Sequence, residues 1–330
     1  MRVLQIGAGR WGRNHVRSWE RLGVDLRVCD TDPAARAELA VPTTDDARQA
    51  LDEVDAIDVV TPADTHPALV REALERGKDV FVEKPFTPEP AESFELAALA
   101  EQRGRILQVG HVFRFAPAAR ALKQALDSGR IGEPRYLQGH FMGFKRPRSD
   151  GGAAISDGIH WVDLASWLLG RQPTLATATL RDGLGRGLDD IALLTLDYGQ
   201  ALAQLEAGYF PPEPRRDCVV MGSEGALVCD FLAQEEPLRL YAGRHREDAE
   251  GRWTAVEGER EVLPVDEGEP LLDELRAFVE ACRSRTPSAI ASGGTDGAAA
   301  VAVIEACQRS AQEGRRVEVK LPTPSREESR

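Results

Sequence analysis

The sequence predicts an α/β protein in two parts. A doubly wound parallel sheet comes first, and an open, mostly antiparallel sheet with helices on one face follows. Three observations carry this. Short apolar runs alternate with helical stretches over roughly the first 120 residues, the pattern of strands buried between helices. Beyond that point the runs become extended and the links between them short and glycine-containing, as in hairpins. A chain of 330 residues is also long enough for two separate cores.

In order, strands are expected at 3–6, 26–29, 54–60, 80–82 and 106–109, with a first helix over 12–22. Residues 118–126 read as a helix bridging the two parts, 136–144 as a strand and 156–169 as a helix. Three extended runs follow, at 174–181, 191–197 and 201–209. In the last, Leu202, Gln204 and Glu206 alternate with Ala203, Leu205 and Ala207, the period of a half-buried strand. Asp197-Tyr198-Gly199-Gln200 and Gly222-Ser223-Glu224-Gly225 are turn signals. Residues 243–261 are charged and read as an exposed loop or irregular hairpin. Helices at 271–283 and 296–312 precede a last strand at 316–319. The expected division is 1–118, 119–322 and a frayed tail, 323–330.

Composition narrows the function classes. The formal net charge is −13, which repels phosphate backbones and argues against a nucleic-acid partner. Five cysteines, at 29, 218, 229, 282 and 307, include no CxxC pair, so neither a metal centre nor a disulfide framework is expected. No window is long and apolar enough for a membrane helix, and the N-terminal run is too short for a signal peptide. A cytoplasmic protein is the expectation.

The first strand runs into Gly7-Ala8-Gly9-Arg10-Trp11-Gly12 and then a helix. In that context G-x-G-x-x-G is a dinucleotide signature. Gly7 allows the tight turn, Gly9 lets backbone approach a pyrophosphate, and Gly12 lets helix pack on strand. The loop, with Arg10 and Trp11, would hold the pyrophosphate at the helix N-terminus. Asp30 ends the second strand, suits the adenine ribose hydroxyls and would repel a 2′-phosphate, so NAD is favoured over NADP. Asp32 is a weaker candidate for that contact, and Arg36 would offset the repulsion.

Ligands of open α/β sheets bind at the carboxyl ends of strands. That rule places Thr61-Pro62 and Glu83-Lys84-Pro85 in the crevice. The Lys84 ammonium would donate to a substrate oxygen and stabilise charge there. The helix over 156–169 is apolar around most of its circumference, yet Ser156, His160 and Asp163 form a polar stripe with Asp157 beside it. Buried polar groups need partners, which a cleft would supply; by itself, such a histidine is more often structural.

Gly-Ala-Gly-Arg-Trp-Gly-Arg-Asn-His at 7–15, Thr61-Pro62 followed by His66, and Glu83-Lys84-Pro85-Phe86 resemble the glucose–fructose oxidoreductase and inositol dehydrogenase (Gfo/Idh/MocA) family. So do Val109-Gly110-His111 with Arg114-Phe115, and Gly158-Ile159-His160 with Asp163 and Trp167-Leu168-Leu169-Gly170. The resemblance implies a Rossmann domain, an α/β domain, and an NAD(P)-dependent dehydrogenase of sugars, nucleotide sugars or cyclitols. It adds His66 and Glu83 to the cofactor-binding residues, makes His160 the general base, and reads Asp163 as supporting. Two departures stand out: Ser156 replaces an aspartate common four residues before the histidine, which leaves Asp157 to orient His160 or the substrate, and Ala116 replaces an asparagine. Arg114 and the run Lys145-Arg146-Pro147-Arg148 would meet an anionic substrate. The expectation is hydride transfer with catalytic residues Lys84, His160 and Asp157, in a homodimer or homotetramer. Alternatives are a retained cofactor running an internal redox cycle, and an NAD-binding regulator without catalysis.

Overall fold

The structure, a computed structural model, describes residues 1–149 and 151–322; the expected tail at 323–330 lies outside them. The first part carries β1 (Arg2–Ile6), α1 (Gly12–Leu22), β2 (Asp25–Cys29), α2 (Pro33–Ala37), β3 (Thr43–Thr44), α3 (Ala47–Leu51), β4 (Ala56–Val59), α4 (His66–Glu75), β5 (Asp79–Glu83), α5 (Pro90–Gln102) and β6 (Leu107–Gly110). Then come α6 (Pro117–Asp127), β7 (Pro134–Met142), α7 (Ile159–Leu169), β8 (Leu175–Arg181), β9 (Ile191–Asp197), β10 (Leu202–Gly208), β11 (Arg215–Gly222), β12 (Gly225–Asp230), β13 (Leu238–Glu247) and β14 (Trp253–Val262). The chain closes with α8 (Pro270–Ser284), β15 (Ser292–Gly293), α9 (Gly294–Glu313) and β16 (Val317–Glu318).

The first sheet has the order β15-β6-β5-β4-β1-β2-β3. Strands β1 to β6 pair in parallel throughout. Chain direction across the sheet reverses between β1 and β4, and this switch point opens the crevice. Every residue of β4 and β5 is buried, as strands covered on both faces must be.

The division at residue 118 is cleaner in sequence than in space. Helix α8 returns to the first part and packs on α1, and β15 pairs antiparallel with β6 through Ser292 and Val109. The anchor is Phe278, fully buried edge-on to Trp19 and Phe81 at 6.4 and 5.8 Å. Rings in this geometry add about 0.5–1.5 kcal/mol beyond their area.

Among the described residues the second sheet has nine strands, β14-β13-β12-β11-β7-β10-β9-β8-β16. Only β7 and β10 run parallel; the other neighbours are antiparallel. Ala203, Leu205 and Ala207 are buried while Leu202 is exposed, so β10 alternates as its sequence predicts. Trp161 of α7 lies so close to β7 that a Cβ on Gly139 would come within 2.9 Å of its ring. The charged stretch 243–261 is the outer half of the hairpin β13–β14, whose second strand is exposed along its whole length. Among the described residues, no helix is long and apolar enough to cross a membrane, and the five cysteines are free thiols.

Candidate active site

The glycine loop lies at the carboxyl edge of the first sheet, beside the switch point. Gly7 has φ +102°, and a Cβ on it would sit 2.3 Å from the Val60 carbonyl oxygen. A Cβ on Gly12 would sit 2.3 Å from the Gly7 oxygen. Gly9 has nothing within 4 Å of its missing Cβ, so its outer face is clear. The buried Gln5 amide donates to the Gly7 and Gly12 carbonyls at 2.8 and 2.9 Å and holds the loop from beneath. Asp30 accepts from the Ala8 N–H at 2.6 Å and the Asp32 N–H at 2.9 Å; each carboxylate oxygen still has capacity for a hydroxyl. Arg36 is turned onto the Asp30 carbonyl at 2.5 Å. No carboxylate occupies the first turn of α1, so its dipole is open to an anion. This arrangement fits a dinucleotide: an open glycine face over a helix N-terminus, with a ribose-binding carboxylate to one side.

Behind the loop lies a buried ionic network. His15 Nδ1 is 2.9 Å from Asp58 Oδ2, and its Nε2 is 3.1 Å from Glu83 Oε1. The indoles of Trp19 and Trp11 donate to the same two oxygens at 2.6 and 2.9 Å. Burial opposes charge on His15, but Asp58 and Glu83 override it and raise the pKa to about 10. His15 is therefore an imidazolium clamped between two carboxylates, and the network fixes where β5 ends.

Thr61 and Pro62 follow β4. His66 is buried beneath them, its ring nitrogens 2.9 Å from the Thr61 carbonyl oxygen and 3.1 and 3.2 Å from those of Pro85 and Phe86. It ties the two crevice loops together from inside. Lys84, next to Glu83, crosses the crevice and donates to the Ser156 carbonyl at 2.7 Å. Burial brings its pKa down to about 8, against the pull of Glu83 and Asp157.

The opposite wall comes from the second part. The expected helix over 156–169 begins instead with a π-turn, Ala154–Gly158, in which the Ile159 N–H reaches back to Ala154. Asp189 fastens this turn. Its carboxylate accepts from the Ala154 N–H and its carbonyl from the Ala153 N–H, both at 2.7 Å. Gly152 makes room, since a Cβ there would lie 1.9 Å from Asp189 Oδ1. π-turns recur at functional sites, and this one presents the Ser156 carbonyl to Lys84. Two residues on, His160 stacks on Phe141 at 5.2 Å and tilts against Phe113 at 5.0 Å. Burial, then the charge of Lys84, holds its pKa well below the usual histidine value, so it is a neutral base. Asp157 pairs with Lys145 at 2.7 Å, and the Lys145 ammonium lies 4.9 and 5.5 Å from the Phe141 and Tyr209 ring centres.

Several buried polar atoms here take no hydrogen bond within the described residues: His160 Nδ1, both ring nitrogens of His111 and the Tyr209 hydroxyl. Such atoms are rare in a finished core, and their concentration points to a polar ligand. His111 follows β6, where the strand-end rule reaches it as it reaches Lys84. Tyr209, Phe113, Phe141 and Asp189 carry no sequence signal; the topology brings them in.

Arg114, an expected substrate contact, and Asp163, expected as supporting, lie elsewhere. Arg114 is buried and donates to both oxygens of Asp163, at 2.8 and 2.6 Å, and to Asp296 at 3.0 Å. Ser292 also donates to Asp163 at 3.2 Å. Arg114 and Asp163 thus clasp the two parts together, and the guanidinium is committed to the protein. Lys145 is at the site through Asp157, and Arg146 is exposed on the same loop. Among the described residues, no group of three or more His, Cys, Asp or Glu side chains is arranged to hold a metal ion.

Fold and site together define an oxidoreductase that uses NAD. Residues 1–111 match the oxidoreductase family with NAD-binding Rossmann fold, and residues 119–228 match the GFO/IDH/MocA C-terminal domain. The chain belongs to the Gfo/Idh/MocA family. It is 30% identical over 297 residues to the UDP-N-acetylglucosamine 3-dehydrogenase of Acidithiobacillus ferrooxidans, covering 87% of this chain and 90% of that one. That enzyme's solved structure superposes with a TM-score of 0.80 over 95% of this chain and 98% of its own. The scyllo-inositol 2-dehydrogenase (NAD(+)) of Bacillus subtilis is 33% identical, covering 73% and 77% of the two chains. A levoglucosan dehydrogenase solved with NADH shares the fold at a TM-score of 0.83 and 19% identity, over 98% of this chain and all of the other. The chain is thus an NAD-binding oxidoreductase of this family, and these relatives are named dehydrogenases.

Proposed function

We propose that the chain oxidises, reversibly, one carbinol carbon of a sugar, nucleotide sugar or cyclitol, with Lys84, His160 and Asp157 as catalytic residues. Bound NAD supplies the hydride acceptor, held by Gly7, Gly9, Arg10, Trp11, Gly12, Asp30, Thr61 and Pro62, while Glu83 and His66 hold the loops that carry them. Neutral His160 takes the hydroxyl proton. The Lys84 ammonium donates to the same oxygen, leaving the Ser156 carbonyl to do so, and steadies the charge that develops. Asp157, fixed by Lys145, accepts from a neighbouring hydroxyl. The observation that carries the reading is the juxtaposition of a half-buried lysine after β5 and a buried neutral histidine on α7, from the two parts of the chain, beside unpartnered polar atoms.

Lys84→Ala and His160→Ala should each lower kcat by about 10²–10⁴-fold while NAD still binds. Near-parental turnover of both variants on the true substrate, found by a panel of sugars, nucleotide sugars and inositols, would refute the assignment. Stoichiometric NADH at 340 nm separates net dehydrogenation from an internal redox cycle. We further propose a cytoplasmic homodimer or homotetramer. Free thiols support the compartment, and the partly apolar open face of the second sheet, with exposed Leu193 and Leu202, supports self-association. A monomer in light scattering would end the latter.

A further inference from the structure

A cavity of about 490 Å³ opens at the amino ends of β1, β4 and β5, the edge of the first sheet opposite the cofactor crevice. Its charged lining is Arg2, Asp55, Lys78, Asp79, Arg105, Arg283 and Arg285. Both carboxylates already face an arginine: Asp55 pairs with Arg2 at 2.6 Å and Asp79 with Arg285 at 2.6 Å. The nearby acids are matched likewise, Asp52 with Arg76 at 3.0 Å and Glu53 with Arg27 at 2.8 Å. Asp25 adds negative charge beside Arg2.

Three cations are left over. Lys78 donates to the carbonyls of Val54 at 2.9 Å and Asp52 at 3.5 Å. Arg105 donates to those of Gly77 at 2.9 Å and Arg103 at 3.1 Å. Among the described residues neither has a carboxylate partner, and Arg283, exposed at the end of α8, makes no ion pair. The carbonyls hold the first two side chains in place while leaving N–H donors unspent. Like charges gathered without counter-charge repel each other, and in a chain of net charge −13 surplus carboxylates were available to neutralise them. A pre-set cluster of donors around a cavity of small-molecule size is the chemistry that recognises a phosphate.

We infer that this amino-edge cavity is a second, non-catalytic anion site that takes the phosphate of a small metabolite, with Lys78, Arg105 and Arg283 as its donors.

The test uses inorganic pyrophosphate as probe, titrated calorimetrically at low ionic strength into the full chain saturated with NAD, so that the glycine loop is filled. One equivalent should bind. Arg283→Glu, which breaks no bond among the described residues, should weaken binding about tenfold or more, and Arg283→Lys should recover much of it. Arg105→Gln provides a second variant, with NAD affinity checking that it folds. Parallel titrations of AMP and glucose 1-phosphate distinguish a nucleoside from a sugar carrier, and tighter binding of either, lost in Arg283→Glu, supports the site. No binding at millimolar probe, or binding unchanged by both substitutions, overturns the inference.

Discussion

Half-buried Lys84 and buried His160 face the same seam, and desolvation pushes both toward their neutral forms. For His160 that readies a base; for Lys84 it brings loss of the ammonium within reach of physiological pH. With the Lys84 pKa at about 8, kcat/KM should fall as pH rises past that value. Lys84→Arg, which stays charged at any accessible pH, should lose this alkaline limb even if its turnover is poor; a limb that survives unchanged would exclude Lys84 as its source. His15 carries a stability effect of the opposite sign. Its pKa is raised, from 6.5 to about 10, so its contribution is fully present below about pH 6.5 and is lost as pH climbs through 10. Lys84 is depressed from 10.5, so its penalty lifts between about pH 8 and 10.5 and masks part of that loss. Urea midpoints of Lys84→Met should therefore drop more steeply between pH 6.5 and 10 than those of the parent, and adding His15→Gln should flatten the curve. At this scale the lysine was legible because a strand-end rule located it. The imidazolium was not: its carboxylates are 43 and 68 residues away in sequence.

The glycine loop and the π-turn differ in how much of their geometry is local. The loop is written in adjacent residues, so its motif could be read. Gly7→Ala meets both a positive φ and a backbone oxygen at 2.3 Å and should cost about 1–3 kcal/mol or more in urea unfolding. Gly9→Ala, with open space around it, should leave stability within about 0.5 kcal/mol yet weaken NAD binding measured by fluorescence quenching. The π-turn depends on Asp189, 35 residues beyond the Ala154 N–H it caps, so periodicity read an ordinary helix there. Asp189→Ala strips that N–H of its acceptor, worth about 1–3 kcal/mol, and displaces the Ser156 carbonyl from Lys84. The variant should lose kcat while Kd for NAD holds; equal loss of both would mark a general folding defect.

The two parts are joined by an ionic clasp and by a helix that crosses back. Arg114 leaves the end of β6 and meets Asp163 on α7 and Asp296 on α9. Breaking one side of such a buried pair leaves a bare charge, so Arg114→Met should cost about 3–5 kcal/mol, whereas Arg114→Met with Asp163→Leu should cost much less. Additive losses in that double-mutant cycle would show that the pair does not couple. Phe278→Ala, at about 3–5 kcal/mol, should destabilise the cofactor-binding part although the residue lies 160 positions beyond the division drawn from sequence. Hydrogen exchange slowed equally in α1 and α8, and raised in both by the substitution, would verify that they unfold together.

The sequence by itself determined the doubly wound sheet, the glycine loop and the NAD preference, and it pointed to the lysine and histidine proposed for catalysis. Apart from His160, whose reading rests on the family resemblance, these follow from near neighbours in the chain: hydrophobic period, turn chemistry, and residues placed at strand ends. Only the tertiary structure decided that Arg114 faces Asp163 rather than substrate, that α8 and β15 rejoin the first sheet, that a π-turn aims Ser156 at Lys84, and that Lys78, Arg105 and Arg283 meet at the amino edge with no carboxylate partner among the described residues. Each of those depends on which distant side chains share a low-dielectric space, and charge pairing across such distances leaves no period in the sequence.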